Sequence, residues 1–146
     1  MIFLTVSVLA LSFPGCGKKE NTSDRTLRVG IVTYTQDDPF INTMTEQIQE
    51  DLKLKESKDM KILVSVKNGD NDQRDQDELV EEMIAAGCDV LCVNLVDRTA
   101  PSDIIKAARQ EKIPVIFFNR EPVKEDLMQW DQLYYVGCDA KQSGEM

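Results

Sequence analysis

The feature that most constrains the fold is a regular alternation of short apolar segments with longer segments of helical periodicity. Residues 27–34 (LRVGIVTY) are apolar and β-branched, whereas residues 39–58 carry an apolar side chain every four positions from Phe40 to Leu52. Strands that are apolar on both faces are typical of a parallel sheet with helices on each side. The pattern therefore predicts an α/β fold, in which right-handed crossovers join the strands into a doubly wound, Rossmann-like parallel sheet.

The rest of the chain repeats this alternation. The further predicted strands are 61–66, 89–96, 113–118 and 134–138, and the further predicted helices are 72–87 and 100–112. Gly87 is a typical end of a helix, and Pro101 is typical of a first helical turn. We therefore expect the segments from residue 27 onward to form one sheet-centred lobe.

The net charge of −9 and the absence of histidine argue against several classes of function. Nucleic-acid binding needs a basic face for phosphate, and binding to anionic lipid needs a basic patch. Without histidine no Ser–His or Cys–His pair can form, and the cysteines include no Cys-x-x-Cys pair. The sequence TQDDPF after the first strand also lacks the glycines of a dinucleotide or phosphate loop. We predict that the chain is not an enzyme and holds no metal or cofactor. A receiver-type Mg²⁺ site at Asp37 and Asp38 is a third alternative, although the spacing of Asp97 fits it poorly.

The start of the chain is typical of an exported lipoprotein. Residues 1–15 are uncharged, and their apolar run is too short to span a bilayer but suits the core of a signal peptide. The Gly15-Cys16 pair resembles a lipobox, which implies cleavage before Cys16 and lipidation of its thiol. The polar residues 16–26 then form a tether. We expect an extracytoplasmic location, with the membrane reached through the lipid anchor only.

Polar and aromatic side chains gather where the predicted strands end. Ligands of doubly wound sheets bind outside the carboxyl ends of the strands. The residues that follow the strands are Tyr34, Asp38, Phe40, Asn68, Asp70, Asn71, Asn94, Asp97, Asn119, Arg120 and Glu121. Amide and carboxylate groups match sugar hydroxyls, which both donate and accept hydrogen bonds, and an aromatic ring packs on the C–H face of a pyranose. The set favours a monosaccharide ligand, although each of these residue types is also common in ordinary loops.

Five stretches of the chain resemble the bacterial galactose/glucose-binding proteins of the type I periplasmic-binding family. They are VGIVTYTQDDPF (29–40), NGDNDQRDQ (68–76), VNLVDRTA (93–100), IPVIFFNREP (113–122) and YYVGCDAKQSG (134–144). The resemblance implies sugar-binding roles for Tyr34 and Asp38 at hydroxyl groups, with Asp38 at the 4-hydroxyl. It implies that Phe40 stacks on one sugar face and that Asn94 binds a further hydroxyl. Asn119 is the fifth predicted sugar-binding residue, in a 119–121 segment that resembles hinge and rim residues.

The resemblance also implies the organisation of the chain. Residues 27–119 correspond to an N-terminal sugar-binding lobe, and residues 120–146 to a hinge crossover and the start of a second lobe. The family's calcium loop and second stacking aromatic belong to that second lobe, so we expect no cofactor here and very weak binding by this lobe alone.

The implied function is hexose binding, of glucose or galactose, for an ABC permease, with a chemoreceptor as a second partner. The alternative is a sugar-sensing module of the same fold, in chemotaxis, in two-component sensing, or as the effector domain of a LacI-type repressor. A repressor would have a helix-turn-helix ahead of Leu27, where this sequence has the apolar start and the tether.

Overall fold

The computed structural model describes residues 25–138, in which parallel strands alternate with helices. Their order is β1 (Arg25–Thr33), α1 (Pro39–Leu54), β2 (Met60–Asn68), α2 (Gln73–Ala85), β3 (Val90–Val93), α3 (Ser102–Glu111), β4 (Val115–Phe118), α4 (Lys124–Leu127) and β5 (Leu133–Val136). The predicted signal peptide, Cys16 and residues 16–24 of the tether lie outside the described residues, as do residues 139–146. No helix within 25–138 combines the length and apolar character needed to cross a bilayer.

The sheet has the strand order β2-β1-β3-β4-β5, and every described strand pair is parallel. Helix α1 covers one face, where Met44 and Ile48 pack against Val29 and Ile31. Helices α2 and α3 cover the other face, and Val80, Ile104 and Ile105 are buried there with the β3 and β4 side chains. The predicted doubly wound α/β fold, with helices on both faces, is confirmed.

Local signals define the helix ends. Asp38 caps α1 by accepting hydrogen bonds from the backbone N–H groups of Phe40 and Ile41, and Pro39 occupies the first turn, where its missing N–H is not needed. Asp72 caps α2 in the same way. The predicted helix 39–58 ends at Leu54, because the chain turns beyond it through the Ser57–Met60 bridge that leads into β2.

Strand β3 and helix α4 also differ from the sequence prediction. Strand β3 covers Val90–Val93 rather than 89–96, because beyond the Asn94 N–H, which donates to Val32 in β1, the backbone is held by side chains such as Gln76 of α2. The short helix α4 was not predicted.

A further difference concerns residues 120–138, which belong to the segment that the resemblance assigned to a hinge crossover and the start of a second lobe. The described part of the supposed second lobe includes β5, which pairs with β4 in the first sheet. The connection between β4 and β5 is long enough for the crossover that parallel neighbours require, so the same sheet can continue past residue 120.

Candidate functional site

The candidate site lies at the carboxyl edge of the sheet between β1 and β3. From β1 the chain goes to β2 on one side, and after β2 it returns to β3 on the other side of β1. The loops that follow β1 and β3 therefore diverge and leave a crevice, which is where doubly wound sheets bind ligands. Tyr34 and Asp38 follow β1, and Asn94 follows β3 directly. The larger surface grooves, between α1 and β2 and between α2 and α3, lie away from this edge.

Asp38 is held in place by three hydrogen bonds. Its Oδ1 accepts from the backbone N–H groups of Phe40 (2.9 Å) and Ile41 (3.4 Å), and its Oδ2 accepts from the hydroxyl of Tyr34 (2.6 Å). These donors, first of all the Tyr34 hydroxyl, together with the positive charge of Arg120, lower the pKa of Asp38 below its ordinary value. Asp38 is therefore an ionised acceptor whose orientation is set by the helix that it caps.

Tyr34 connects Asp38 to the other side of the crevice. Its hydroxyl donates to Asp38, and its ring lies under the guanidinium of Arg120, with 3.7 Å between the Arg120 Cζ and the ring centroid. The hydrogen bond to the Asp38 carboxylate is the main cause of a raised Tyr34 pKa, because the anion beside it opposes loss of the proton. Tyr34 stays a neutral phenol, and its hydroxyl proton is donated to the Asp38 carboxylate.

Phe40 lies in the first turn of α1, and 61% of its surface is exposed. The core is buried without it, since Ile41 and Thr45 are the buried residues of this helix. An exposed aromatic ring two residues beyond Asp38 is available for stacking.

Asn94 directly follows β3 at the carboxyl edge of the sheet, as predicted, but it is buried rather than exposed at the rim. Its side chain is fully buried, and its Nδ2 donates to the backbone carbonyl of Phe118 at 3.0 Å. That carbonyl can only accept, which fixes the orientation of the amide and leaves Oδ1 without a partner among the described residues. An unpartnered buried acceptor costs on the order of 1–3 kcal/mol, and because the side chain is fully buried a ligand hydroxyl can reach Oδ1 only after neighbouring groups move.

Asn119 shapes the backbone at the end of β4. It has the left-handed φ of 62°, a conformation that asparagine adopts more readily than most residues. Its N–H donates to the carbonyl of Val136 (3.0 Å), and its own carbonyl accepts from the hydroxyl of Tyr135 (3.2 Å). The structure thus gives Asn119 a backbone role, and its predicted contact with sugar stays a prediction.

The loop after β2 folds back onto the loop after β1. Asn71 donates from its backbone N–H to the Tyr34 carbonyl (2.8 Å) and from its Nδ2 to the Thr35 hydroxyl (3.2 Å). Asp70 and Asn71 both have positive φ, so the turn is tight. These rim residues therefore support the segment that carries Tyr34.

The sequence matches a known protein family over most of its length. Residues 29–146, well over half of the chain, match the family described as periplasmic binding protein domain. The chain belongs to the periplasmic binding protein family. The D-galactose/methyl-galactoside binding periplasmic protein of Haemophilus influenzae is 35% identical over 117 residues, which cover 80% of this chain and 34% of that protein. The ribose import binding protein of Bacillus subtilis is 26% identical over 125 residues, with coverage of 82% and 39%.

A solved structure of the same kind has the same fold. The carbohydrate transporter solute-binding protein of Chloroflexus aurantiacus, in complex with D-glucose, superimposes with a TM-score of 0.64 at 27% identity and covers 82% of this chain and 33% of that chain. This chain therefore spans about a third of the length of the periplasmic binding proteins that it matches.

Two residues that organise this periplasmic binding protein lobe were not among the five residues predicted to bind sugar. Gln76 is fully buried in α2, where its Nε2 donates to the Asn94 carbonyl (2.9 Å) and its Oε1 accepts from the Val96 N–H (3.0 Å). The sequence did contain a signal for it, since Gln76 lies four residues before Val80 on the apolar face of α2. Arg120 is the second, and no local pattern indicates its contacts, because its partners lie in the loops after β1 and β3.

Proposed function

We propose that this chain is the N-terminal, ligand-binding part of an extracytoplasmic solute-binding protein that binds a hexose, glucose or galactose, for an ABC permease. The observation that carries the proposal is the Tyr34–Asp38 pair, placed at the switch point of the sheet next to the exposed ring of Phe40. A fixed carboxylate and an aromatic plate within one turn of helix match the two faces of a pyranose, its hydroxyls and its C–H surface.

In this proposal each group of the site has a separate task. Asp38 accepts a hydrogen bond from a ligand hydroxyl, and the resemblance suggests the 4-hydroxyl. Phe40 stacks on the C–H face, and the Oδ1 of Asn94 accepts from a second hydroxyl once the groups that cover it at the β3 end move aside. Asn119 sets the path of the backbone at the rim and contributes a polar side chain. No step of this scheme needs a proton transfer or a covalent bond, so the site binds and releases its ligand unchanged.

The compared proteins support a sugar over other small solutes, since their names specify galactose, ribose and glucose. The higher identity to the galactose-binding relative favours a hexose over a pentose. Export and lipid attachment at Cys16 belong to the proposal and are supported by the apolar start of the sequence. An extracytoplasmic location and delivery to a permease are supported by the family, and contact with a chemoreceptor completes the proposal.

The test is a titration of the ¹⁵N-labelled 146-residue protein with D-glucose, D-galactose and D-ribose. NMR measures the change in the amide chemical shifts at each addition of sugar. We expect the two hexoses to shift the amides of Phe40 and Ile41 at the start of α1 and those around Asn94. The resemblance places a second stacking aromatic and further polar groups in the other lobe, so the affinity should be weaker than that of a complete site by on the order of 10³-fold. We therefore expect a dissociation constant in the millimolar range.

Matched variants make this test specific. Asp38→Asn keeps an oxygen for the helix cap but removes the charge, and we expect it to abolish the hexose-dependent shifts. Asp37→Asn changes the neighbouring exposed carboxylate and should bind like the unsubstituted protein. Equal effects of the two substitutions, or shifts with ribose alone, would contradict the proposed hexose site. Submillimolar calorimetric binding by this protein would contradict the expectation that it holds only part of the site.

A further inference from the structure

Arg120 connects three loops at the carboxyl edge of the sheet. It follows β4, and its Nη1 donates to the backbone carbonyls of Leu95 (3.2 Å) and Val96 (2.9 Å) in the loop after β3. The same guanidinium lies 3.7 Å over the ring of Tyr34, which follows β1. One side chain therefore connects the two loops that diverge at the switch point.

This arrangement depends on the shape of an arginine side chain. A guanidinium is planar, so it can lie flat on an aromatic ring while its edge donates hydrogen bonds in its own plane. A lysine ammonium carries the same charge but has no plane to stack. The contact with Tyr34 therefore fixes the tilt of the ring, and the ring in turn carries the hydroxyl that lies 2.6 Å from the Asp38 carboxylate.

A count of donors and acceptors shows what the Tyr34–Asp38 pair can offer to a ligand. A carboxylate has about four acceptor sites. Three of those of Asp38 are filled, two by the backbone N–H groups of Phe40 and Ile41 and one by Tyr34. The Tyr34 proton is committed to Asp38, so the phenol oxygen can only accept. The pair thus presents acceptors alone, and it matches a ligand group that donates.

We propose that Arg120 is a positioning and specificity-determining residue of the ligand site, which holds the Tyr34 ring so that the Tyr34–Asp38 pair stays an acceptor-only surface selective for hydroxyl donors. This inference rests on the proposed function for its ligand. The inference extends that function by assigning a task to a residue outside the predicted sugar-binding set and by requiring a donor group of the ligand at the Tyr34–Asp38 pair.

The first arm of the test needs no ligand. In the 146-residue protein, NMR should show the Arg120 Nε–H shifted by the ring current of Tyr34, and the ¹³C signal of the Asp38 carboxyl should titrate below its ordinary pH range. Arg120→Lys keeps the positive charge, so a rise in the Asp38 titration midpoint in this variant reports loss of the Tyr34 hydrogen bond. Arg109→Lys is the matched control, because Arg109 donates to the Gln129 carbonyl at the far end of α3. It should leave the Asp38 titration unchanged.

The second arm compares ligands. For the unsubstituted protein, glucose should cause larger shifts than 4-deoxy-4-fluoro-D-glucose, in which the donor hydroxyl is replaced by fluorine. Arg120→Lys should weaken glucose binding by roughly three- to tenfold and reduce the difference between the two sugars. Arg109→Lys should change neither.

The two arms separate the possible failures. If no sugar shifts any amide but Arg120→Lys still moves the Asp38 titration, hexose binding is wrong and the positioning role of Arg120 stands. If Arg120→Lys leaves the Tyr34 ring signals and the Asp38 titration unchanged in a folded protein, the positioning role is wrong, whatever the sugars do. Equal binding of glucose and its fluoro analogue by the unsubstituted protein would overturn the selectivity for donors.

Discussion

Replacement of Gln76 by leucine tests whether the loop after β3 is held from α2. Gln76 is fully buried and satisfies two backbone groups of that loop, the carbonyl of Asn94 and the N–H of Val96. Leucine has a similar volume, so the substitution should leave little cavity. What it removes is the hydrogen-bonding partner of both backbone groups at once.

The expected magnitude follows from the burial of these groups. A buried polar group that loses its partner costs about 1–3 kcal/mol. Asn94 is fully buried and Val96 is half-buried, so water can partly replace Gln76 only at Val96. After the gain from the apolar leucine is subtracted, we expect the free energy of unfolding to fall by about 2–4 kcal/mol. That is a large part of the free energy of unfolding of a typical domain, which is roughly 5–15 kcal/mol.

Urea denaturation measures this loss, as a fall in the unfolding midpoint of about 1–2 M at a slope of about 2 kcal/mol per molar. Gln73→Leu is the matched control: Gln73 lies one turn earlier and accepts from the Asp97 N–H (2.8 Å), but at an exposed site where water can replace it. We expect it to cost less than about 1 kcal/mol. Equal losses for the two variants, or a loss below about 0.5 kcal/mol for Gln76→Leu, would refute the role assigned to the buried glutamine.

Two further predictions concern the core and the helix cap. In Gly30→Ala the new Cβ would lie 3.0 Å from the Cys88 Sγ and 3.1 Å from the Leu91 Cδ2. Urea unfolding should therefore show a free energy of unfolding that is lower by about 1–3 kcal/mol, and Cys88→Ala in the same protein should restore part of it. An unchanged unfolding midpoint would contradict this packing. The folded-state pKa of Asp38 lies below its ordinary value of 3.8, so its stabilising contribution is complete above that value and is lost as the pH falls through the folded-state pKa. The stability difference between the unsubstituted protein and Asp38→Asn should therefore shrink from neutral pH to about pH 3, and a difference that grows on acidification would contradict the sign of the pKa change.

Much of the fold could be predicted because its signals are local. The apolar strand and the four-residue spacing that follows it predicted β1 and α1, and the Asp38-Pro39 pair predicted where α1 begins. Errors concentrated where tertiary contacts set an element's end. Strand β3 stops at Val93 because a side chain of α2, rather than a neighbouring strand, satisfies the Asn94 carbonyl and the Val96 N–H.

The candidate site was predicted in outline, since the carboxyl-end rule and the family resemblance both placed Tyr34, Asp38 and Phe40 at one rim. The burial of each side chain and its hydrogen-bond partners were not predictable. Asn94 was expected to be a rim residue and is fully buried, because its amide donates to the carbonyl of Phe118, 24 residues away in sequence. The charge of Asp38 was evident, whereas the hydrogen bond from Tyr34 that orients it became visible only in three dimensions.

The amino-acid sequence alone specifies that this protein forms a doubly wound α/β sheet, because apolar periodicity and helix caps depend on residues within one or two turns of each other. It also determined which polar residue types follow the strands. That β5 continues the first sheet, and that Gln76 holds the backbone after β3, became evident only in three dimensions. The same is true of Arg120, which reaches both Tyr34 and the carbonyl of Val96, 24 residues away. Such contacts join residues that the crossovers bring together from distant parts of the sequence, and no local pattern encodes the partner of a polar group across that distance.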